Sequence, residues 1–194
     1  MLVVEDLRAD RDLVGLPNAG KSTFINQVSN AAAKVGDYAF TTLVPKLGVV
    51  RHRNREFVIA DIPGLIEGAA EGAGVGDRFL GHVERTRLLL HLVDASGANP
   101  SEAYRIVRDE LASYGAGLDA KVELVALTKA DLLDDKALQK VATAIEKLGG
   151  ARPFPVSAPL EQGLDPLLDA IIERLATVAD TKEEFASERP WSPL

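Results

Sequence analysis

The octapeptide Gly15–Ser22 constrains the fold of this chain more than any other stretch of its sequence. It reads GLPNAGKS and fits G-x-x-x-x-G-K-[ST], the pattern of a phosphate-binding loop. Glycines at both ends of the pattern let the backbone turn so that successive N–H groups point inward at a phosphate. The helix that follows such a loop adds the positive end of its dipole. The motif therefore predicts a strand over Asp12–Val14, the loop itself, and a helix over residues 20–29.

Apolar runs alternate with helical patterns along the rest of the chain, and this alternation predicts an α/β fold. Further strands are predicted at Lys46–Arg51, Glu56–Asp61, Arg87–Asp94, Lys121–Leu127 and Arg152–Ser157. Further helices are predicted at Pro100–Tyr114, Asp134–Leu148 and Gly163–Val178. We therefore expect a mostly parallel six-stranded sheet with helices on both faces, in which a hairpin supplies one antiparallel strand.

Composition excludes several classes of protein. The 194 residues suffice for one domain with a full core, and the formal net charge of −7 argues against broad binding to nucleic acid. The sequence has no cysteine, no apolar run of membrane-spanning length, and no basic and apolar start of the kind found in signal peptides. We expect a cytoplasmic monomer that does not bind membranes, with a domain over residues 1–178 and a flexible polar tail over 179–194.

Two segments after the loop have the chemistry to hold Mg²⁺ and a γ-phosphate. Asp61 ends an apolar strand and can hold Mg²⁺ through a water molecule, while Gly64 lets a backbone N–H approach the γ-phosphate closely. Thr41 and Thr42 follow Phe40 between the loop and this strand, and a threonine hydroxyl there can reach Mg²⁺. Because that contact needs a triphosphate, the segment is predicted to be ordered by the nucleotide.

Two further segments point to a guanine base. Asp131, in Thr128-Lys129-Ala130-Asp131, can accept two hydrogen bonds from guanine, whereas adenine lacks that pair of donors. The stem of Lys129 can lie across the base. Ser157-Ala158 follows the next strand, where a backbone N–H can meet the guanine oxygen.

With these segments in order, the sequence resembles the G domain of the Obg family, in the TRAFAC class of GTPases. The resemblance covers roughly residues 7–178, and the segments that carry it are Gly15–Thr23, Tyr38–Val49, Asp61–Gly76 and Phe79–Asp94. It implies a Ras-like P-loop NTPase fold that binds GTP and hydrolyses it to GDP and phosphate with Mg²⁺. It also implies a role in large ribosomal subunit assembly and in stress control.

The motifs and the resemblance together predict the residues of the site. Those expected to hold Mg²⁺ are Ser22, Thr42 and Asp61, and those expected to act in catalysis are Lys21, Thr42 and Gly64. The residues expected to bind the nucleotide are Gly15, Pro17, Asn18, Ala19, Gly20, Lys21, Ser22, Thr23, Phe40, Thr41, Thr42, Asp61, Gly64, Thr128, Lys129, Asp131, Ser157 and Ala158.

The sequence differs from the pattern of Obg proteins in two respects that bear on function, and from that of Ras-like enzymes in one. The glycine-rich domain that precedes the G domain in Obg proteins is absent here, so we expect the nucleotide site to be retained and ribosome engagement to be weakened. Thr128 stands where the guanine motif usually has asparagine, and its hydroxyl keeps one contact but not two. Leu65 stands where Ras-like enzymes have a glutamine that orients water, which predicts slow hydrolysis.

Three questions stay open. In related GTPases an asparagine at the position of Asn18 can ligate K⁺ beside the phosphates, and the alternative is that it only braces the turn. The output of the domain is either hydrolysis or, as Leu65 favours, nucleotide-dependent binding of a partner. A third hypothesis is a small P-loop enzyme that uses ATP. Asp131 and the Ser157-Ala158 pair argue against it.

One histidine and a group of three arginines are predicted to have structural and not functional roles. His91 lies within a buried apolar strand and is predicted to be a hydrogen-bonded core histidine and not a catalytic residue. Arg51, Arg53 and Arg55 are predicted to form the solvated tip of a hairpin and not a binding patch.

Overall fold

The computed structural model describes residues 11–29, 34–35, 46–61, 88–114 and 117–187, and strands and helices alternate along them. The strands are β1 (Arg11–Val14), β2 (Lys34–Val35), β3 (Lys46–His52), β4 (Arg55–Asp61), β5 (Leu88–Asp94), β6 (Val122–Thr128) and β7 (Phe154–Pro155). The helices are α1 (Lys21–Val28), α2 (Pro100–Tyr114), α3 (Asp135–Lys147) and α4 (Leu164–Ser187). A 3₁₀ turn, Ala130–Leu132, follows β6.

The strands form one sheet in the order β2-β3-β4-β1-β5-β6-β7. Strand β1 is parallel to both β4 and β5, and β5, β6 and β7 are parallel to one another. Strand β3 pairs antiparallel with β4 and with β2, so it alone runs against the other strands of the described sheet. The predicted mostly parallel sheet is confirmed, and the two-residue edge strand β2 is an addition to its six strands.

Alternate residues of the central strands pack against opposite helical layers. Leu88, Leu90 and Leu92 of β5 belong to the core shared with α1 and α4. Leu89 and Val93 of the same strand belong to the cores shared with α2 and α3. Because side chains alternate between faces along a strand, a fully apolar strand must be covered on both sides. The prediction of helices on both faces is confirmed.

Polar caps precede two of the helices, close to the predicted helix starts. The Asn99 side chain accepts a hydrogen bond from the Glu102 N–H (3.3 Å) just before the Pro100 that opens α2. The Asp134 side chain accepts one from the Ala137 N–H (2.7 Å) and caps α3. Such caps satisfy N–H groups that the first turn leaves without a helical partner.

Two elements differ in length from the predictions. Strand β7 is limited to Phe154–Pro155 because Pro153 and Pro155 have no N–H to donate to a sheet. Helix α4 continues to Ser187, so residues 179–187, predicted as the start of the tail, are helical. Although α4 has 24 residues, no helix in the described ranges is long and apolar enough to span a membrane.

His91 lies in the core, as predicted, but only one of its two ring nitrogens has a hydrogen-bond partner, since the buried Nε2 has none among the described residues. Its Nδ1 lies 2.8 Å from Oε1 of Glu123, and its ring stacks on Tyr104 with the centroids 4.9 Å apart. The Tyr104 hydroxyl donates to the other carboxylate oxygen of Glu123 at 3.1 Å. Burial, and then the nearby Glu123 charge, raise the pKa of Tyr104 well above its usual range. This network links β5, β6 and α2.

The arginines of the β3–β4 hairpin form an exposed tip, also as predicted. Arg53 and Asn54 at the turn both have positive φ, as a tight two-residue hairpin requires. Arg53 Nε and His52 Nε2 lie 2.9 and 2.8 Å from the same oxygen of Asp169 on α4. The tip is therefore pinned to the final helix.

Gly163 should be the glycine whose replacement harms the fold most clearly. Its φ of +70° disfavours a side chain, and an added Cβ would overlap the carbonyl oxygen of Pro155. We predict that Gly163→Ala lowers the free energy of unfolding by about 2–4 kcal/mol, measured by urea denaturation.

Gly117 is the matched control for this test. It has almost the same φ, +72°, but an added Cβ would meet nothing within 4 Å. Gly117→Ala should therefore lose only the backbone cost of about 1 kcal/mol. Equal losses in the two variants would mean that the clash with Pro155 relaxes freely.

Candidate nucleotide-binding site

The segment Gly15–Ser22 forms a tight loop between β1 and α1. An added Cβ on Gly15 would overlap the carbonyl oxygen of Leu92 on β5, so a glycine is needed for the close approach of the two backbones. Gly20 has a φ of +89° and Asn18 a φ of +64°, both in the left-handed region. The Ala19 N–H donates to the Leu16 oxygen at 3.1 Å and closes the turn.

Lys21 folds back over this loop from the start of α1. Its Nζ donates to the backbone oxygen of Gly15 at 2.7 Å and to that of Leu16 at 3.2 Å. The ammonium is therefore held at the mouth of the loop, where a phosphate would be cradled. Pro17 and Asn18 are exposed beside it.

Ser22 and Asp61 have the oxygen chemistry that Mg²⁺ prefers. Ser22 is exposed in the first turn of α1, next to Thr23, whose side chain is also exposed. Asp61 ends β4, is 8% exposed, and pairs in the sheet with Leu13, two residues before the loop begins. No cluster of three or more His, Asp or Glu side chains suited to a metal occurs among the described residues. One or two protein ligands fit Mg²⁺, which takes its remaining ligands from phosphates and water.

Thr128 connects the predicted guanine segment to the phosphate loop. Its hydroxyl lies 2.8 Å from the Ala19 oxygen and 3.2 Å from the Val93 oxygen, and the side chain is 6% exposed. A Cβ on Gly20 would lie 3.7 Å from the Thr128 Cβ, so the two residues are close neighbours. The expected hydroxyl contact is present at the Ala19 oxygen and supports the loop directly, and the same hydroxyl also lies close to β5.

Lys129 and Asp131, the two residues after Thr128 that are predicted to contact the base, lie at the same sheet edge. Lys129 has a φ of +54°, and its Nζ lies 2.5 Å from Oδ2 of Asp94. Asp131 lies exposed in the 3₁₀ turn, so its carboxylate is accessible to a ligand. Ala130 N–H donates to the Val156 oxygen at 3.1 Å and ties this turn to the segment after β7.

Ser157 and Ala158 lie beside that turn, and both are buried. The Ser157 N–H donates to the Gln162 oxygen at 3.0 Å, which closes the loop before α4. The Ser157 N–H is therefore already paired, which leaves the Ala158 N–H as the candidate to meet the guanine oxygen.

Asp94, which is not among the predicted site residues, also lies at this edge. It ends β5 directly opposite Thr128 of β6. A signal was present, since an acid that ends an apolar strand at the edge of a parallel sheet faces the ligand side. Asp61 was predicted on that same basis.

Several predicted site residues lie outside the described residues. These are Phe40, Thr41, Thr42 and Gly64, together with Leu65. Their roles stay predictions. The described part of the chain brings together the phosphate loop, Asp61, the Thr128–Asp131 segment and the Ser157-Ala158 pair at the carboxyl ends of parallel strands.

A phosphate loop after a central parallel strand, with a Thr-Lys-x-Asp segment two strands away, defines a P-loop domain of the GTPase class. The comparison with known families agrees with this class. The chain belongs to the family of 50S ribosome-binding GTPases, whose sequence profile matches residues 12–129.

Curated relatives confirm the resemblance to Obg. GTPase Obg of Novosphingobium aromaticivorans is 60% identical over 195 residues, which cover 97% of this chain and 55% of that protein. GTPase Obg of Rhizorhabdus wittichii is 60% identical over 188 residues, which cover 97% of this chain and 54% of that protein. The chain thus spans about half the length of these relatives.

Solved structures support the fold. A Sulfolobus solfataricus GTP-binding protein in complex with GDP has a TM-score of 0.66 at 22% identity, covering 88% of this chain and 53% of that one. The G domain of the T. maritima FeoB iron transporter has a TM-score of 0.59 at 21% identity, covering 88% and 98%. At these identities the likeness concerns the fold alone.

Thr128 should stabilise the loop through its hydroxyl. Thr128→Val keeps the shape of the side chain but leaves the Ala19 oxygen without its donor, so we expect a loss of about 1–2 kcal/mol in the free energy of unfolding. Urea denaturation of the nucleotide-free protein measures this loss.

The control is Thr177→Val on α4, whose hydroxyl donates to the Glu173 oxygen at 3.0 Å on an exposed helix surface. Its effect should stay within about 0.5 kcal/mol. If the two valine variants are equally stable, the hydroxyl of Thr128 does not brace the loop.

Proposed function

We propose that this domain binds GTP with Mg²⁺ in the site described above and hydrolyses it slowly to GDP and phosphate. The observation that carries the proposal is the hydrogen bond from Thr128 to the Ala19 oxygen, which joins the guanine segment to the phosphate loop. Gly15, Gly20 and Lys21 bind the phosphates in this proposal. Membership in a GTPase family supports the reaction.

The roles of the individual residues follow from their chemistry. Lys21 exchanges its two backbone carbonyl partners for charged phosphate oxygens, which accept stronger hydrogen bonds. Ser22 and Asp61 hold Mg²⁺, together with Thr42, and the ion supplies charge neutralisation on the β- and γ-phosphates. Lys21, Thr42 and the Gly64 N–H stabilise the charge that develops on the transferred phosphoryl group.

Base selection rests on Asp131 and its surroundings. Its exposed carboxylate accepts from the two donors of guanine, the Lys129 stem covers the base, and the Ala158 N–H meets the guanine oxygen. Adenine offers no matching pair of donors, so the carboxylate would lose water without gaining partners.

The proposal has three further parts, which concern the location of the domain, its partner and a second cation. We place the domain in the cytoplasm as a monomer, in keeping with a sequence that has no cysteine. The large ribosomal subunit is the proposed partner, because the family is named for binding it. Asn18, exposed at a φ of +64°, is proposed to ligate K⁺ beside the phosphates.

The base specificity predicts a clear result for Asp131. Wild-type protein with Mg²⁺ should bind GDP and GTP well and ATP weakly in titration calorimetry. Asp131→Asn should weaken GDP binding roughly 100-fold, because the amide places a donor against the donors of the base. Failure of the wild-type protein to prefer guanine nucleotides would overturn the proposed function.

Asp135→Asn is the matched control for this substitution. Asp135 is an exposed carboxylate at the start of α3, four residues beyond Asp131. Asp135→Asn removes the same charge from the same region of the surface. The GDP affinity of this variant should therefore stay within about twofold of wild type, as is usual for surface changes.

Hydrolysis should respond both to K⁺ and to the ribosomal partner. Single-turnover GTP hydrolysis is measured in K⁺ or Na⁺ at equal ionic strength, each with and without 50S particles. We expect a slow basal rate, a faster rate in K⁺ because a bound cation stabilises transition-state charge, and a further increase with the particles.

Asn18→Gly separates the two effects. Glycine adopts the positive φ of Asn18 without strain, so the loop keeps its shape and loses only the side-chain ligand. The K⁺ effect should vanish in this variant while the particle effect stays. Equal rates in K⁺ and Na⁺ for wild type would exclude the K⁺ role, and hydrolysis unchanged by particles would favour partner binding without activation.

A further inference from the structure

An ion pair between β5 and the guanine segment fixes the side chain of Lys129. Lys129 Nζ lies 2.5 Å from Oδ2 of Asp94, and the two side chains are 39% and 25% exposed. A lysine side chain has several rotatable bonds and is costly to order, so a contact at its tip determines where its stem lies. The pair joins two neighbouring parallel strands at the edge that carries the site.

Asp94 is itself held in place. Its other oxygen, Oδ1, accepts hydrogen bonds from the Ser96 N–H at 2.9 Å and from the Ser96 hydroxyl at 2.7 Å. Burial raises the pKa of Asp94, but the hydrogen bonds from Lys129 and Ser96 outweigh it, so that the pKa lies below its ordinary value. The carboxylate is therefore ionised at neutral pH, with one oxygen clamped and the other directed at Lys129.

The backbone of Lys129 is fixed as well. Thr128, its predecessor, pairs with Asp94 in the sheet, and the Thr128 oxygen accepts from the Ala95 N–H at 3.0 Å. Lys129 then turns into the left-handed region with a φ of +54°. With the backbone set by the sheet and the ammonium set by Asp94, both ends of the Lys129 stem are held before any base arrives.

We propose that Asp94 is a positioning residue for guanine recognition, which holds the Lys129 ammonium so that the aliphatic stem is pre-placed against the base. This inference rests on the proposed function, in which Thr128–Asp131 binds guanine. Guanine offers no carboxylate to compete for the ammonium, so the Asp94–Lys129 pair persists when the base binds. Preorganisation of this kind raises affinity because the ordering of a flexible side chain precedes binding.

A different result is expected if the pair only links two strands at the surface. Exposed ion pairs contribute little to folding, and the loss of a pair without a role in binding would leave nucleotide affinity unchanged. A positioning pair acts on affinity, and only while Lys129 is present to be positioned. A double-mutant cycle separates the two cases.

The experiment measures GDP affinity by calorimetry, with Mg²⁺, for wild type, Asp94→Asn, Lys129→Met and the double variant. Lys129→Met keeps a long apolar stem without the charge. We expect Asp94→Asn to weaken GDP binding roughly two- to tenfold, the range for ordering one flexible side chain on binding. In the Lys129→Met background the same change should alter affinity less than about twofold.

Two additional variants keep the result interpretable. Asp119→Asn removes an exposed carboxylate near the opposite end of β6 and should leave GDP affinity unchanged. Ser96→Ala removes the hydroxyl half of the Asp94 clamp but keeps both charges, so it should weaken GDP binding in the same direction by less than Asp94→Asn. It provides the test if Asp94→Asn does not fold.

Each outcome decides the matter. GDP affinity that is unchanged or tighter in Asp94→Asn, or weakened equally with and without the Lys129 charge, overturns the positioning role and leaves the proposed function standing. If Asp94→Asn does not fold, unchanged affinity in Ser96→Ala does the same. Absence of GDP binding by wild type would instead overturn the proposed function, and the inference with it.

Discussion

The hydroxyl of Thr128 is the contact on which the rest of the site depends. It lies within hydrogen-bonding distance of the Ala19 oxygen in the phosphate loop and of the Val93 oxygen on β5. The parallel register places Thr128 directly opposite Asp94. The buried side chain of Thr128 thus ties the guanine segment both to the phosphate loop and to β5. A buried carbonyl oxygen left without a hydrogen-bond donor destabilises the fold, so the Thr128 hydroxyl must stay close to its acceptors. The segments proposed to contact the phosphates and the base therefore share a single rigid edge of the sheet.

That edge is rigid because the strands beneath it are covered on both faces. Leu90 and Leu92 pack toward α1 and α4, whereas Leu89 and Val93 pack toward α2 and α3. A strand buried on both sides cannot slip by one residue without exchanging its two sets of side chains. The core on both faces therefore supports the register that brings Asp94 opposite Thr128.

Local signals predicted most of the fold, and what they missed comes from long-range pairings or from segments whose local signal is weak. The caps at Asn99 and Asp134 and the glycines of the phosphate loop act within a few residues, so the sequence alone locates them. The Asp94–Lys129 pair joins residues 35 apart, and its geometry exists only once β5 and β6 are in register. The two residues of β2 and the extension of α4 to Ser187 likewise carry no local signal strong enough to predict them.

The two lysines of the site differ in what a nucleotide offers them. Lys21 donates to the uncharged backbone oxygens of Gly15 and Leu16, and a phosphate oxygen is a stronger, charged acceptor. Lys129 donates to the carboxylate of Asp94, and a purine base has no acceptor of comparable charge. In the proposed function, Lys21 therefore gains from exchanging its partners, whereas Lys129 gains from keeping its own. As proposed, the site thus combines a cation that moves onto the phosphates with a second cation that stays in place and aligns the base.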